Sequence, residues 1–483
     1  MSRRLRTCLG LCPAVFLCAT AFATTPVVTV TSPANNATVS APAHFVATAS
    51  SPSCSKGISA IRIYSAPGVS AYTVSGGSLN GYISLANGTY NTVVQAWDNC
   101  GGVGKTNVTV TINAQSAPAG FLYVTNSNWT PGGANNLNNV VGYTIVAGGQ
   151  GALALTLQGP VNTNVFPMSV AADKGGYRLY VGDWYTGDVY AYYIYGNHGY
   201  IYPVPGSPFP VNRSVTAVAV APSGKFVFAA GNEDAAGDGI EVFQVESNGS
   251  LVKAPGSPFA TENGPRALVV DPTGKYLYVG DDSNYLEAFA ISSSGYLTPL
   301  AGSPYSMPLP KNGCGVNPTD IVDPFGTRLY TADSGDNSVS GYNINGSTGI
   351  PTQIAGSPWS GEGGCIGGIN QSAFNPVALA VDGQGKFLYG LNAENESISI
   401  FSINSSSGAL TWIKDTANTT GGWPGPIRTD PTGNYIYTTG SGGIGVYAIN
   451  HTTGDLTASP SSPIPLPPNG NAYATSFAVA PAQ

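Results

Sequence analysis

Seven short apolar pairs, each followed by a polar loop, recur along the chain. They are Leu122-Tyr123, Leu179-Tyr180, Val227-Phe228, Leu277-Tyr278, Leu329-Tyr330, Leu388-Tyr389 and Ile436-Tyr437. The intervals between them are 57, 48, 50, 52, 59 and 48 residues. Repeats of this length are supersecondary units that bury a face only against their neighbours, so the number of copies and the way the array ends decide the fold.

The fullest copy shows what one unit contains. Ala267 to Val270 is short and apolar, as a strand buried on both faces should be. Asp271-Pro-Thr-Gly274 follows and reads as a tight turn, with Pro presetting φ and Gly accepting a positive φ. Tyr276 to Val279 is a run of β-formers and gives a second strand. Glu287, Phe289 and Ile291 share one face of a third strand, and Ala288 and Ala290 the other. Ser294-Gly295 then turns into a short fourth strand. Other copies repeat the first turn at Gly224, Gly326, Gly385 and Gly433. They repeat an outer corner at Gly206-Ser-Pro, Gly256-Ser-Pro, Gly302-Ser-Pro and Gly356-Ser-Pro. Four antiparallel strands per unit and a period of about 50 residues predict a β-propeller of seven blades. The repeated residues are expected to be turns and inter-blade core.

The two ends of the array complement each other. The first copy starts at Gly120-Phe-Leu-Tyr123, already in its second strand. The last is followed by a spare strand, Tyr473 to Ala480. Pairing the spare strand with the first copy would close the ring and remove exposed sheet edges. The propeller is therefore expected over residues 120–483.

The amino end reads differently. Arg3, Arg4 and Arg6 precede an apolar stretch from Cys8 to Ala19, and Ala21-Phe22-Ala23 supplies small residues for cleavage. Residues 1–23 are expected to be a secretory signal peptide cleaved near Ala23, giving a secreted, periplasmic or cell-surface protein. No other segment is long and apolar enough for a membrane-spanning helix. The formal charge of −7 becomes −10 once the three leader arginines are set aside. With no basic run, this argues against nucleic acid and anionic lipid as partners. Three of the seven cysteines lie in the leader, leaving Cys54, Cys100, Cys314 and Cys365. Four cysteines in an exported chain suggest two disulfides with three connectivities. Their placement in separate modules favours Cys54–Cys100 and Cys314–Cys365. Neither clustered histidines nor a compact acidic calcium loop is present, so no metal and no cofactor is expected. A monomer is expected.

Residues 24–115 lack the repeat and carry alternating strand patterns. Gly88-Thr-Tyr90 and Ala96-Trp-Asp98-Asn-Cys100 resemble the late strands of bacterial immunoglobulin-like modules, which implies a β-sandwich with Trp97 as core packing. The overall expectation is an all-β chain: a seven-bladed β-propeller with an N-terminal Ig-like β-sandwich.

The propeller also resembles a family. Gly264-Pro265-Arg266, the Asp271-Pro-Thr-Gly-Lys-Tyr-Leu-Tyr-Val279 run and Asp281-Asp282 are similar to the seven-bladed lactonases, which include 6-phosphogluconolactonases and carboxy-muconate cyclases. The resemblance implies a site at the channel mouth with Arg266 as its fixed cation and Asp282 or Asp281 as base. Ala267 stands where those enzymes often place His, and Asp282 where they often place Glu. The nearest second arginine, Arg428 in Gly425-Pro-Ile-Arg428, is shifted by one position. From the repeat alone, the loops after the second strands gather Asp183, Trp184, Glu233, Asp333, Asn392 and Glu394 on one face. Arg213, Asn317 and Asn375 join them at inner-strand starts. Two functions follow. The missing His and the export signal favour a non-catalytic or weakly catalytic ring that binds a glycan, small acid or protein on this face. The family resemblance favours hydrolysis of a sugar or organic-acid lactone.

Overall fold

The computed structural model describes residues 25–483 except 40–42, 84, 86, 113–117, 128–137, 148–150, 157, 164–165, 233–238, 263, 283, 308–317, 323–324, 335–336, 361–375, 394, 422–424, 461 and 467–472. The leader and both Cys314 and Cys365 lie outside the described residues. The chain divides into two compact units, Met1–Gln115 and Ser116–Gln483.

The first unit holds two sheets. Val27–Ser32, Ala43–Ser50 and Ser78–Ile83 form one. Ala37–Val39, Ile58–Ala66, Val69–Ser75, Gly88–Asp98 and Val103–Ile112 form the other. Phe45 and Leu79 from the first share one buried cluster with Ile61, Ile63, Val94 and Val110 from the second, giving a sandwich-like core. Period-2 alternation decides Trp97. Val94 and Ala96 face inward, so Trp97 faces outward, half-buried beneath the Arg62 guanidinium 5.4 Å from its ring. Core packing was expected for it. The Cys54–Cys100 disulfide is formed, with Cα atoms 5.8 Å apart. Asp98 locks the adjoining turn by accepting from Ser51 Oγ and the amides of Cys100 and Gly102.

The second unit is the seven-bladed propeller. Each blade is a four-stranded antiparallel ladder in chain order, as in Pro265–Val270, Tyr276–Asp281, Tyr285–Ile291 and Leu297–Pro299 of blade 4. Blade 1 takes its innermost strand from the carboxyl end. Tyr473–Pro481 pairs with Gly120–Ser127, and Ala478 lies opposite Tyr123. Closure is as the spare strand predicted.

The repeated pair sits at the centre of the packing. Adjacent residues of a strand face opposite sides. Leu277 therefore joins the cluster of Phe228 and Val242 from the preceding blade, and Tyr278 that of Leu329 and Tyr342 from the next. The tyrosine hydroxyls explain why the second member is so often Tyr. Tyr123, Tyr278, Tyr330 and Tyr389 donate to the carbonyls of Gly199, Gly349, Gly408 and Gly454 in the following blades, and Tyr437 to Gly151 of blade 1 across the seam. The acceptors are turn glycines; Gly349 has φ +74°, and a Cβ there would collide with the Tyr276 ring. Burial pushes the Tyr330 phenol up to about 12. Phe228 lacks the hydroxyl, and the Tyr180 hydroxyl is buried with no hydrogen-bond partner among the described residues.

The remaining motifs are structural as well. Asp271 Oδ1 accepts from the amides of Lys275 and Tyr276, and Asp382 and Asp430 close their own turns in the same way. In the Gly-Ser-Pro corners the serine hydroxyl accepts from a third-strand amide, as Ser257 does from Val242 and Ser303 from Ala288.

Candidate active site in the central channel

Six of the seven innermost strands carry a register slip near their start. The slips fall between Pro167 and Ser169, Val215 and Ala217, Pro265 and Ala267, Pro318 and Asp320, Pro376 and Ala378, and Ala474 and Ser476. A bulge leaves one residue unpaired and re-aims its side chain. Proline suits the preceding position because it has no N–H to offer the ladder. The unpaired residues Met168, Thr216, Arg266, Val377 and Thr475 all line one cavity of about 320 Å³ on the ring axis. Hydroxyls tie the inner strands together beneath it: Thr216 Oγ1 donates to Pro265 O at 2.6 Å, and Thr475 Oγ1 to Pro167 O at 2.5 Å.

Arg266, Arg428 and Asp320 are the charged residues among the described lining of this cavity. Arg266 donates through Nε to Asp282, and the side chains are 49% and 30% exposed. Its terminal amino groups make no hydrogen bond to other described residues. Arg428 is paired with Asp320 at 2.8 Å and also donates to the carbonyls of Ile427 and Leu379. Arg428 lies opposite Tyr437, as Val269 lies opposite Tyr278. It therefore stands three residues along its strand from the Arg266 position, rather than one, and so about 10 Å deeper in the channel. The Arg428–Asp320 pair also borders a second cavity of about 430 Å³, walled by Phe325 and Val381, toward the Asp-Pro-Thr-Gly turns. Both cavities share this pair in their walls.

The expected site residues separate by burial. Trp184 lines the cavity with Arg266 and Arg428. Asp183, Asp281, Asp333 and Asn392 are fully buried and outside its wall. Each ends a second strand and serves the hairpin that follows. Asp183 accepts from the Thr186 amide, Asp281 from that of Tyr285 at 3.0 Å, and Asp333 from Ser340 Oγ at 2.6 Å. Asn392 donates to Ser397 and Ser399. Burial raises the Asp183 carboxyl above the usual range. Of the two base candidates, Asp282 reaches the cavity side through Arg266, whereas Asp281 faces its own hairpin. Arg213 packs over Gly231 outside the cavity wall. Glu233, Asn317, Asn375 and Glu394 lie outside the described residues. Asp320 is the residue that sequence reasoning missed. Its signal was a lone carboxylate inside an otherwise uncharged inner strand, Pro318–Val322. Among the described residues no histidine lines the cavity, and His451 instead sits 3.3 Å from the turn residue Asp382.

A closed ring of seven four-stranded blades with an arginine-lined axial cavity defines a class, and comparison with known proteins specifies it. The profile described as "Lactonase, 7-bladed beta-propeller" matches residues 198–314 and 323–468, more than half of the chain. The chain belongs to that family. It is 31% identical over 93 residues to the 6-phosphogluconolactonase of Bacillus subtilis, which is 19% of this chain and 26% of that protein. The alignment thus spans about a quarter of that relative's length. Among solved structures, a protein of Bacteroides fragilis provisionally assigned as a 6-phosphogluconolactonase superposes with TM-score 0.59 at 16% identity, covering 76% of this chain and 99% of that one. A similarly assigned protein of Bacteroides uniformis gives 0.57 at 17%, covering 71% and 96%. At these identities the structures speak for the fold.

Proposed function

We propose that the axial cavity hydrolyses a lactone that carries an anionic group. The observation that supports this most is the convergence of Arg266, Arg428 and Asp320 on one cavity of about 320 Å³, a size suited to a small molecule, with Asp282 held on Arg266 beside it. Arg266 stabilises the oxyanion that forms when water attacks the lactone carbonyl. Asp282 takes the proton from that water and returns it to the ring oxygen as the C–O bond breaks, so the product is a hydroxy acid. Arg428, about 10 Å deeper, holds the remote anionic group. With Ala267 where related enzymes often place His, the base is a carboxylate in contact with an arginine.

The test is a panel of sugar-acid and organic-acid lactones followed by titration of released acid. Arg266→Ala and Asp282→Asn should each abolish turnover while the melting temperature stays close to wild type. If wild-type protein opens no member of the panel, the reading fails and the ring is a binding scaffold. If the variants keep wild-type turnover, the assigned residues are wrong even though the activity is real.

Two further proposals concern the rest of the chain. Residues 1–23 direct export and are removed near Ala23, and the Cys54–Cys100 disulfide supports an oxidising compartment. The two sheets around Phe45 and Ile61 support an immunoglobulin-like module at the amino end.

A further inference from the structure

Nine of the 27 tyrosines fall between residues 177 and 202, within one blade. Four of them, Tyr177, Tyr193, Tyr195 and Tyr202, line a cleft of about 600 Å³ at the outer part of blade 2. The repeat does not require them. At the position of Tyr177 the later blades carry Lys225, Lys275, Thr327, Lys386 and Asn434. Opposite Tyr193 stands Tyr202, where those blades place Val252, Thr298, Thr352, Thr411 and Thr457. Tyr193 itself replaces Gln244, Ala290, Asn343, Ser402 and Ala448. Positions that are mostly polar or small in five blades have thus become aromatic together in one.

Three of these rings stand out from the core, and Tyr193 is partly buried against it. Tyr177, Tyr195 and Tyr202 are 56%, 64% and 49% exposed. A contiguous exposed aromatic patch of this kind marks a binding surface. Tyr195 and Tyr202 stand nearly perpendicular, at 86° with centroids 6.2 Å apart, and form a corner of two aromatic faces. Gln483 is fixed against the wall by donating to the carbonyls of Gly176 and Ile194.

We propose that this cleft is a carbohydrate-binding site separate from the axial cavity. A sugar ring presents an apolar C–H face and a rim of hydroxyls. The cleft offers flat aromatic faces, the phenol hydroxyls of Tyr177, Tyr195 and Tyr202, which both donate and accept, and the Gln483 side-chain carbonyl as an acceptor; the Tyr193 hydroxyl is already bound to Asn248 O. Its volume suits a small-molecule ligand or a short chain segment, whereas a protein partner needs roughly 800 Å² of surface on each side. An aromatic cage can also hold a quaternary ammonium ion. Here, however, no side chain among the described lining residues is a carboxylate, and the one charged side chain in the wall is the cationic Arg178, paired with Asp173 at 3.9 Å, so no acidic side chain in the wall anchors a cation.

The test is calorimetric titration of the whole protein with maltohexaose, cellohexaose, xylohexaose and chitohexaose at millimolar concentration, with tetramethylammonium in parallel. At least one oligosaccharide should bind saturably. The double variant Tyr177→Lys, Tyr202→Thr restores residues that other blades carry at those positions, so the fold should persist; it should weaken binding by about tenfold or more. Tyr202→Phe should keep most of the affinity. Arg266→Ala should leave sugar binding unchanged, which separates this site from the channel. The proposal is overturned if none of the four sugars binds. It is equally overturned if the double variant binds as wild type does, or if tetramethylammonium binds and the sugars do not.

Discussion

Replacing Glu287 by Gln should change how the stability of the propeller depends on pH, with a sign that the structure fixes. Glu287 lies in the third strand of blade 4 and is 4% exposed. Its Oε1 accepts from the Glu262 amide at 3.1 Å, and the acids facing it are Asp281 and Glu262. Burial, with those two like charges, pushes its carboxyl up to about 7 from an ordinary 4.5. Blade 3 shows the compensated arrangement. There Glu241 holds Lys253 Nζ at 2.9 Å and the Ser257 hydroxyl at 2.6 Å. Pro299 occupies the Lys253 position in blade 4.

The folded protein therefore keeps this proton up to about pH 7, whereas the unfolded chain releases it near 4.5. Between these values the folded state binds more protons, so this contribution is full below pH 4.5 and is lost as pH rises through 7. At 1.36 kcal/mol per unit, the loss is about 3 kcal/mol. Urea denaturation of wild type and Glu287→Gln at pH 4.5 and pH 8 measures it. The variant should be close to wild type at the lower pH and about 3 kcal/mol more stable relative to it at the higher. Pro299→Lys, which supplies the missing cation, should remove much of the same pH dependence while Glu287 remains. Parallel curves for wild type and Glu287→Gln across the range would refute the argument.

Other outcomes follow from the ring and its channel. Tyr437→Phe leaves the buried Gly151 carbonyl without its donor at the seam and should cost about 1–3 kcal/mol in denaturant unfolding; a cost near zero would mean the stitch is dispensable. Deleting residues 473–483 exposes the edge of Gly120–Ser127 and should abolish cooperative melting of the propeller, so a native-like melt would contradict closure. Arg428→Ala strands Asp320, which is 13% exposed, and should destabilise by about 2 kcal/mol. Arg266→Ala breaks a pair that is largely exposed and should cost under about 1 kcal/mol. Non-reduced peptide mapping should find Cys314 linked to Cys365, and free thiols at both would exclude that pairing.

How much of this was legible beforehand follows from the range of each interaction. The pairs from Leu122-Tyr123 to Ile436-Tyr437, the Asp-Pro-Thr-Gly turns and the spare strand from Tyr473 are local or periodic signals. They fix strand type, blade number and closure, because alternation and turn chemistry act within a few residues. Arg266 was also readable, since Pro265 marks the start of its strand. Burial was not. Asp281 and Asp282 are adjacent and chemically identical, yet opposite sides of one strand end put the first into the hairpin and leave the second beside Arg266. Trp97 likewise followed alternation outward, and not its hydrophobicity inward. The union of Arg428 with Asp320, separated by 108 residues, depended on blades 5 and 7 lying around one axis. The sequence by itself determined the repeat, the strands and the ring. Only the tertiary structure decided which charges meet in the channel, because a meeting between distant residues is set by the curvature of the closed array and not by any local pattern.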